Sequence, residues 1–107
     1  MSTPNQLYDE AVTLRDKGDR PAAVSKLEQA VTADPNFTIG HGMLARLYLD
    51  VDEPDKAVAH ARRVVELEPE DAFSYTALSV IYVRCGRIAE AEEAKAMAWN
   101  KQHGLDD

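Results

Sequence analysis

The sequence predicts an all-α solenoid of three helix-turn-helix units, six helices in total, on the strength of three observations. The first is a period of 34 residues: Leu44 and Tyr48 recur as Leu78 and Tyr82, Ala23 as Ala57 and Ala91, Gly18 as Gly86, and Asp34-Pro35 as Glu68-Pro69. A fixed period of this length marks stacked units, each too small to bury its own apolar face without a neighbour. The second is the return of apolar residues at helical spacing in six segments. The third is the regular punctuation of those segments by Gly and Pro.

In order along the chain, the helices are expected over 5–17, 20–33, 38–50, 54–67, 72–85 and 88–102. Gly18-Asp19, Asp52-Glu53-Pro54 and Gly86-Arg87 mark the turns within units, because Gly takes the left-handed conformation that ends a helix and Pro54 suits a first turn. Between units, Asp34-Pro35-Asn36 and Glu68-Pro69-Glu70 break the helix, since Pro cannot continue it and pushes the preceding residue out of the helical region. The units then run over 4–37, 38–71 and 72–105 within one domain of 107 residues. A chain of this size buries roughly 60–70% of its unfolded surface and holds a single core.

Ala23, Ala57 and Ala91 fall early in the second helix of each unit, where a methyl group lets two helices approach closely. Ala11, Ala45 and Ser79 supply the matching small positions on the first helices, and Leu14, Tyr48 and Tyr82 fill the space beside them. With the Pro positions and the period, this pattern resembles the tetratricopeptide repeat (TPR) across residues 4 to 105. The resemblance implies a right-handed α-solenoid that acts as a non-enzymatic protein-binding module. Two departures stand out: His41 occupies a position where the family often has Trp, with Leu7 and Tyr75 in the other units, and Asp52 replaces a turn Gly.

The ends of a solenoid must be polar. The stripe Gly40, Leu44, Leu47, Val51 of the second unit and Ser74, Leu78, Ile81, Cys85 of the third face a preceding helix, whereas the first unit has Gln6, Glu10, Thr13, Lys17 there. Val24 and Leu27 correspond to Val58 and Ala61, but to Glu92 and Lys95 in the last helix.

The resemblance also implies where a ligand sits. First helices line the concave side, which places Tyr8, Val12 and Arg15, then Ile39, Gly42, Met43, Arg46 and Leu49, then Phe73, Thr76, Ala77, Val80, Val83 and Arg84 on one surface. Apolar area with a few guanidinium groups is the composition of a peptide-binding groove. Ile39 and Phe73, at helix starts, have packing between units as an alternative role. One subset of the family grips chaperone C-terminal tails through Lys, Asn, Asn, Lys and Arg, and the matching positions here are Tyr8, Val12, Met43, Phe73 and Ala77. None of these can supply that clamp of cationic and amide side chains, so a chaperone tail is not the expected ligand.

Nineteen acidic against 12 basic residues give a net charge of −7, which repels nucleic-acid phosphates and anionic lipid, so neither nucleic acid nor membrane is expected as partner. The start Met1-Ser2-Thr3-Pro4-Asn5-Gln6 lacks the basic and apolar runs of an export signal, and no stretch nears the ~20 apolar residues of a membrane span. With a lone Cys85, which forms no internal disulfide, this predicts a cytoplasmic protein.

No catalytic, metal or cofactor site is expected. His41 and His60 sit on different helices without a paired spacing such as His-x-x-x-His, His41 reads as packing, and His60 and His103 read as solvated. Cys85 ends an apolar stripe as a small hydrophobe, and Glu90, Glu92 and Glu93 form a solvated face near Lys95. Trp99 falls where Val31 and Val65 face a following unit. Either the tail from Gln102 to Asp107 folds back over it, or another molecule covers it. The leading expectation is an adaptor that binds a partner's peptide or helix in the groove; the second is a structural element that self-associates, as a homodimer, through the last helix around Trp99.

Overall fold

The structure, a computed structural model, describes residues 2–105 and consists of six helices: α1 Pro4–Asp16, α2 Arg20–Ala33, α3 Thr38–Asp50, α4 Pro54–Leu67, α5 Ala72–Arg84 and α6 Ile88–Gln102. Four of these match the expected bounds. The first starts at Pro4 because Thr3 caps it: Thr3 Oγ1 accepts from the Gln6 amide at 3.1 Å, and the Gln6 side chain accepts from the Thr3 amide at 2.8 Å. It and α5 end one residue earlier than expected, because Lys17 and Cys85 are drawn into the closing turn.

All three intra-unit turns have one geometry. Gly18, Asp52 and Gly86 adopt φ of 87°, 62° and 77°. The next residue then donates to a carbonyl five back in each: Asp19 to Leu14 at 2.9 Å, Glu53 to Tyr48 at 2.7 Å, and Arg87 to Tyr82 at 2.8 Å. This satisfies carbonyls that the helix end would leave unpaired. Asp52 is the non-glycine residue held in the left-handed region, which Asp tolerates better than most side chains do. Asp52→Gly is therefore expected to raise stability by about 0.5 kcal/mol, and Asp52→Val to lower it by roughly 1–2 kcal/mol, as read by urea denaturation. Equal stabilities for the two variants would contradict the turn geometry.

Within each hairpin the small positions do what their size allows. Ala11, Ala45 and Ser79 on the first helices and Ala23, Ala57 and Ala91 on the second are all buried, and the buried Ser79 hydroxyl is satisfied by donating 2.7 Å to the Thr76 carbonyl. Leu27, Leu44 and Leu47 are the largest fully buried side chains and sit in a single core that also takes in Leu78, Ile81 and Tyr82. The three hairpins stack in order, with α2 against α3 and α4 against α5. Gly40 makes the first of these joints possible: a Cβ there would lie 2.7 Å from the Phe37 ring. The molecule is elongated, 43 × 26 × 19 Å. Its ends are polar, with Gln6, Glu10, Thr13 and Lys17 exposed on α1 and Glu92 and Lys95 exposed on α6. Among the described residues no helix is long and apolar enough to cross a membrane.

Candidate functional site

The first helices α1, α3 and α5 enclose a groove of about 890 Å³. Its floor is apolar. Met43 is buried, Leu49 is part-buried against the core, and Val80 is half exposed. Ile39 and Phe73 stand at the rim, in the first turns of α3 and α5, 54% and 84% exposed, so the alternative of packing between units fails for Phe73, while Ile39 has nearly half its surface covered. Tyr8 enters from α1, held edge-on by Phe37 of the linker between hairpins, with ring centroids 6.1 Å apart.

Three guanidinium groups line the same space. Arg15 is engaged by Asp16 at 3.1 Å. Arg46 and Arg84 make no hydrogen bond or ion pair among the described residues. The acidic residue at the groove wall, Asp50, is turned to Arg20 at 3.6 Å. The groove therefore carries free positive charge on a chain of net charge −7.

Three expectations about this surface need correction. Val12 does not line the groove; it packs part-buried against the core. Val83 is half exposed but also lies off the groove wall, since among the described residues no further first helix stands opposite α5 to close a space over it. Met43 is floor and not exposed surface, because α3 is packed by helices on both sides in the middle of the stack.

Another correction concerns His60, expected to be solvated. Its ring is half-buried between α2 and α3, with Nδ1 2.9 Å from Nδ1 of the buried His41 and Nε2 3.6 Å from a Glu28 oxygen. Tyr48 stacks on His60 at 5.6 Å and donates its hydroxyl to Glu28; burial, and then Glu28, raise that hydroxyl's pKa well above its ordinary value. The sequence hid this cluster because its members come from three helices: His41, Tyr48 and His60 meet where α3 and α4 pair, and Glu28 reaches them only when the first hairpin stacks on the second. Among the described residues, no group of three or more His, Cys, Asp or Glu is placed to hold a metal ion.

At the far end, Trp99 is 54% exposed and stacks on His103, centroids 4.1 Å apart, while His103 Nδ1 meets the Trp99 carbonyl at 2.8 Å. His103 closes the last turn of α6, so this is a contact along one helix face and not a tail folded back over the indole, and Asp106 and Asp107 lie outside the described residues. Cys85 is half-buried, its thiol pKa pushed up by burial. Glu90 is held by Arg87 at 2.7 Å and Glu92 by Lys95 at 3.7 Å, a solvated face as expected.

Residues 14–78, more than half of the chain, match the tetratricopeptide repeat family model. The chain belongs to the tetratricopeptide repeat family. This supports a protein–protein interaction module, in a family that serves generally as a non-enzymatic scaffold. A mitochondrial pentatricopeptide repeat-containing protein of Arabidopsis thaliana is 38% identical over 56 residues, which are 52% of this chain and only 8% of that protein's length. Among solved structures, MamA superposes with a TM-score of 0.86 at 19% identity, covering 95% of this chain and 60% of that one. YrrB, a TPR protein with an unusual peptide-binding site, gives 0.84 at 20% identity, covering 95% and 53%. The first TPR of Spaghetti (RPAP3), bound to the HSP90 peptide SRMEEVD, gives 0.82 at 14% identity, covering 94% and 79%. At these identities the likeness is one of fold.

Proposed function

We propose that this TPR domain, its three units acting as one, is a non-enzymatic adaptor that holds a partner's peptide or helix in the groove between α1, α3 and α5. The observation that carries the reading is the combination of an exposed apolar rim, Ile39 and Phe73, with Arg46 and Arg84, which make no ion pair among the described residues, in one concavity. Apolar surface left in water costs free energy that a ligand recovers, and an unpaired guanidinium is a ready fork for a carboxylate. The partner segment is accordingly one with large apolar side chains and an acidic group. Some neighbours in fold are peptide-bound, but the positions that would form a chaperone-tail clamp here are Tyr8, Val12, Met43, Phe73 and Ala77, so the ligand differs from such a tail. The reading includes a cytoplasmic site of action, supported by the lone Cys85, and no nucleic acid or membrane as partner, supported by the net charge of −7.

Phe73 gives the cleanest test because it is 84% exposed, whereas a charge at the buried Met43 would unfold the floor. A selection from a random displayed peptide library against the full chain should enrich binders that Phe73→Glu weakens by roughly tenfold or more, the order expected for an aromatic anchor. Stability should change by less than about 0.5 kcal/mol. Binders indifferent to Phe73→Glu would remove the groove from consideration. A second reading, self-association through α6, is favoured by the half-exposed Trp99; light scattering that returns a monomer at every concentration would dismiss it.

A further inference from the structure

Two glycines stand two residues apart on α3, and the fold accounts for one of them. A Cβ at Gly40 would lie 2.7 Å from the Phe37 ring, so the joint between the first two hairpins requires its absence. A Cβ at Gly42 would meet nothing within 4 Å, and Gly42 is not among the residues with positive φ. Gly inside a helix is destabilising relative to Ala, because it gives up more backbone freedom on folding. Neither packing nor a turn in the described structure offsets that loss. The space left open belongs to the groove, whose wall Gly42 forms.

The neighbours of Gly42 give this opening a shape. Along α3 the groove face runs from Ile39 to Gly42 and Met43 and on to Arg46, one helical turn of ~5.4 Å per step. The repeat period sets Phe73 of α5 at the level of Ile39, and Thr76 and Ala77 at the level of Gly42 and Met43. The middle level is therefore a notch. Its walls carry short side chains, the buried Met43 is its floor, and the large apolar rim stands on one side with Arg46 on the other.

We propose that this notch takes one aromatic side chain of the partner segment, and that Gly42 is the residue that admits it. The inference rests on the groove reading above and adds the identity of the anchor. A thioether floor suits a ring, because methionine sulfur is polarisable and its chain adapts to the shape laid on it. Phe73, 84% exposed, offers a free ring at the mouth, and paired rings gain more than the area they bury. Charge sets the orientation. Arg46 makes no hydrogen bond or ion pair among the described residues, so the carboxylate it attracts lies one turn from the notch, toward the C-terminal end of α3. Two residues of extended chain at ~3.3 Å each, or four of helix at ~1.5 Å each, span that distance. The recognised segment thus pairs an aromatic residue with an acidic one two to four positions away.

Gly42→Ala and Gly42→Leu test the notch on the full chain, with peptides enriched from the displayed library. Placing a better helix former in open space should raise the thermal midpoint by about 4 °C for the Ala variant, and Leu should not lower it. Weaker binding then cannot be unfolding. Affinity should fall by roughly tenfold or more with Leu, the scale of a blocked anchor pocket, and by less with Ala. Replacing the peptide's aromatic residue by Ala should weaken binding to the parent by roughly tenfold or more and binding to Gly42→Leu far less, because the ring no longer enters there. A lowered midpoint for Gly42→Ala would make Gly42 a packing requirement and overturn the proposal. So would parental affinity in Gly42→Leu, equal losses from the peptide change in both proteins, or enriched peptides without an aromatic residue. Peptides lost with Phe73→Glu yet held by Gly42→Leu sink the notch alone; peptides indifferent to Phe73→Glu, or none enriched, remove the groove reading with it.

Discussion

Leu44→Ala is expected to remove about 3 kcal/mol of stability, the middle of the range for emptying a fully buried Leu site. Leu44 is wholly inaccessible, on the helix that packs against α2, α4 and α5. Its loss therefore weakens the joints on both sides of the middle hairpin. In a stacked array stability is close to a sum of unit and interface terms, so a defect in the middle unit also threatens cooperativity. Against the 5–15 kcal/mol that holds an ordinary domain together, such a loss is a large fraction of the total. Urea denaturation followed by circular dichroism reads the effect as a lower midpoint. Leu105→Ala, at a site 48% exposed, should stay within about 0.5 kcal/mol of the parent. A loss below ~1 kcal/mol for Leu44→Ala would mean that the central core is not packed as described.

The helices were legible because their signals are local. A Pro at the first turn, a left-handed residue at the end and a 3.6-residue apolar rhythm are each contained within one segment, and α2, α3, α4 and α6 fall at the expected residues. The small residues were legible for a related reason: Ala23, Ala57 and Ala91 mark a contact repeated three times, so each copy confirms the others. Even the turn at Asp52, a departure from Gly, adopts the backbone shape of its two counterparts because the surrounding hairpin dictates it.

The site was legible only where it follows the repeat. Met43, Val12 and Val83 were placed by phase, yet burial depends on what stands opposite, which differs between the end units and the middle one. His41 and His60 show the same limit more sharply. They are 19 residues apart, on neighbouring helices that a spacing rule for metal or catalytic pairs does not connect, and they meet because Glu28, Tyr48 and the Pro35 carbonyl frame them from other segments. The helpful signal was the departure itself: a His in a position the repeat usually fills with Trp, buried where an imidazole needs two partners.

Arg46→Glu with Arg84→Glu is the variant expected to change binding most, and its reasoning rests on what the two side chains lack. Among the described residues neither makes a hydrogen bond or ion pair, so reversing them removes none from the described fold, and stability should shift by no more than about 0.5 kcal/mol. A ligand carboxylate would instead meet a like charge at both positions. A hydrogen bond to a charged group contributes about 1.5–3 kcal/mol, so the double variant should weaken a library-selected peptide by roughly a hundredfold or more, and the peptide's Glu→Lys counterpart should recover part of the loss. The parent complex should weaken as salt rises from about 0.1 M to 1 M, because exposed charges are screened over that range, while the apolar share of binding persists. Arg→Lys at both sites separates two forms of the attraction: retained affinity indicates a point charge, and a loss indicates the bidentate fork. Isothermal titration calorimetry on the full chain measures all of these. Affinity unchanged by the double reversal would show that the ligand touches the apolar rim alone, and that the acidic half of the proposed recognition is wrong.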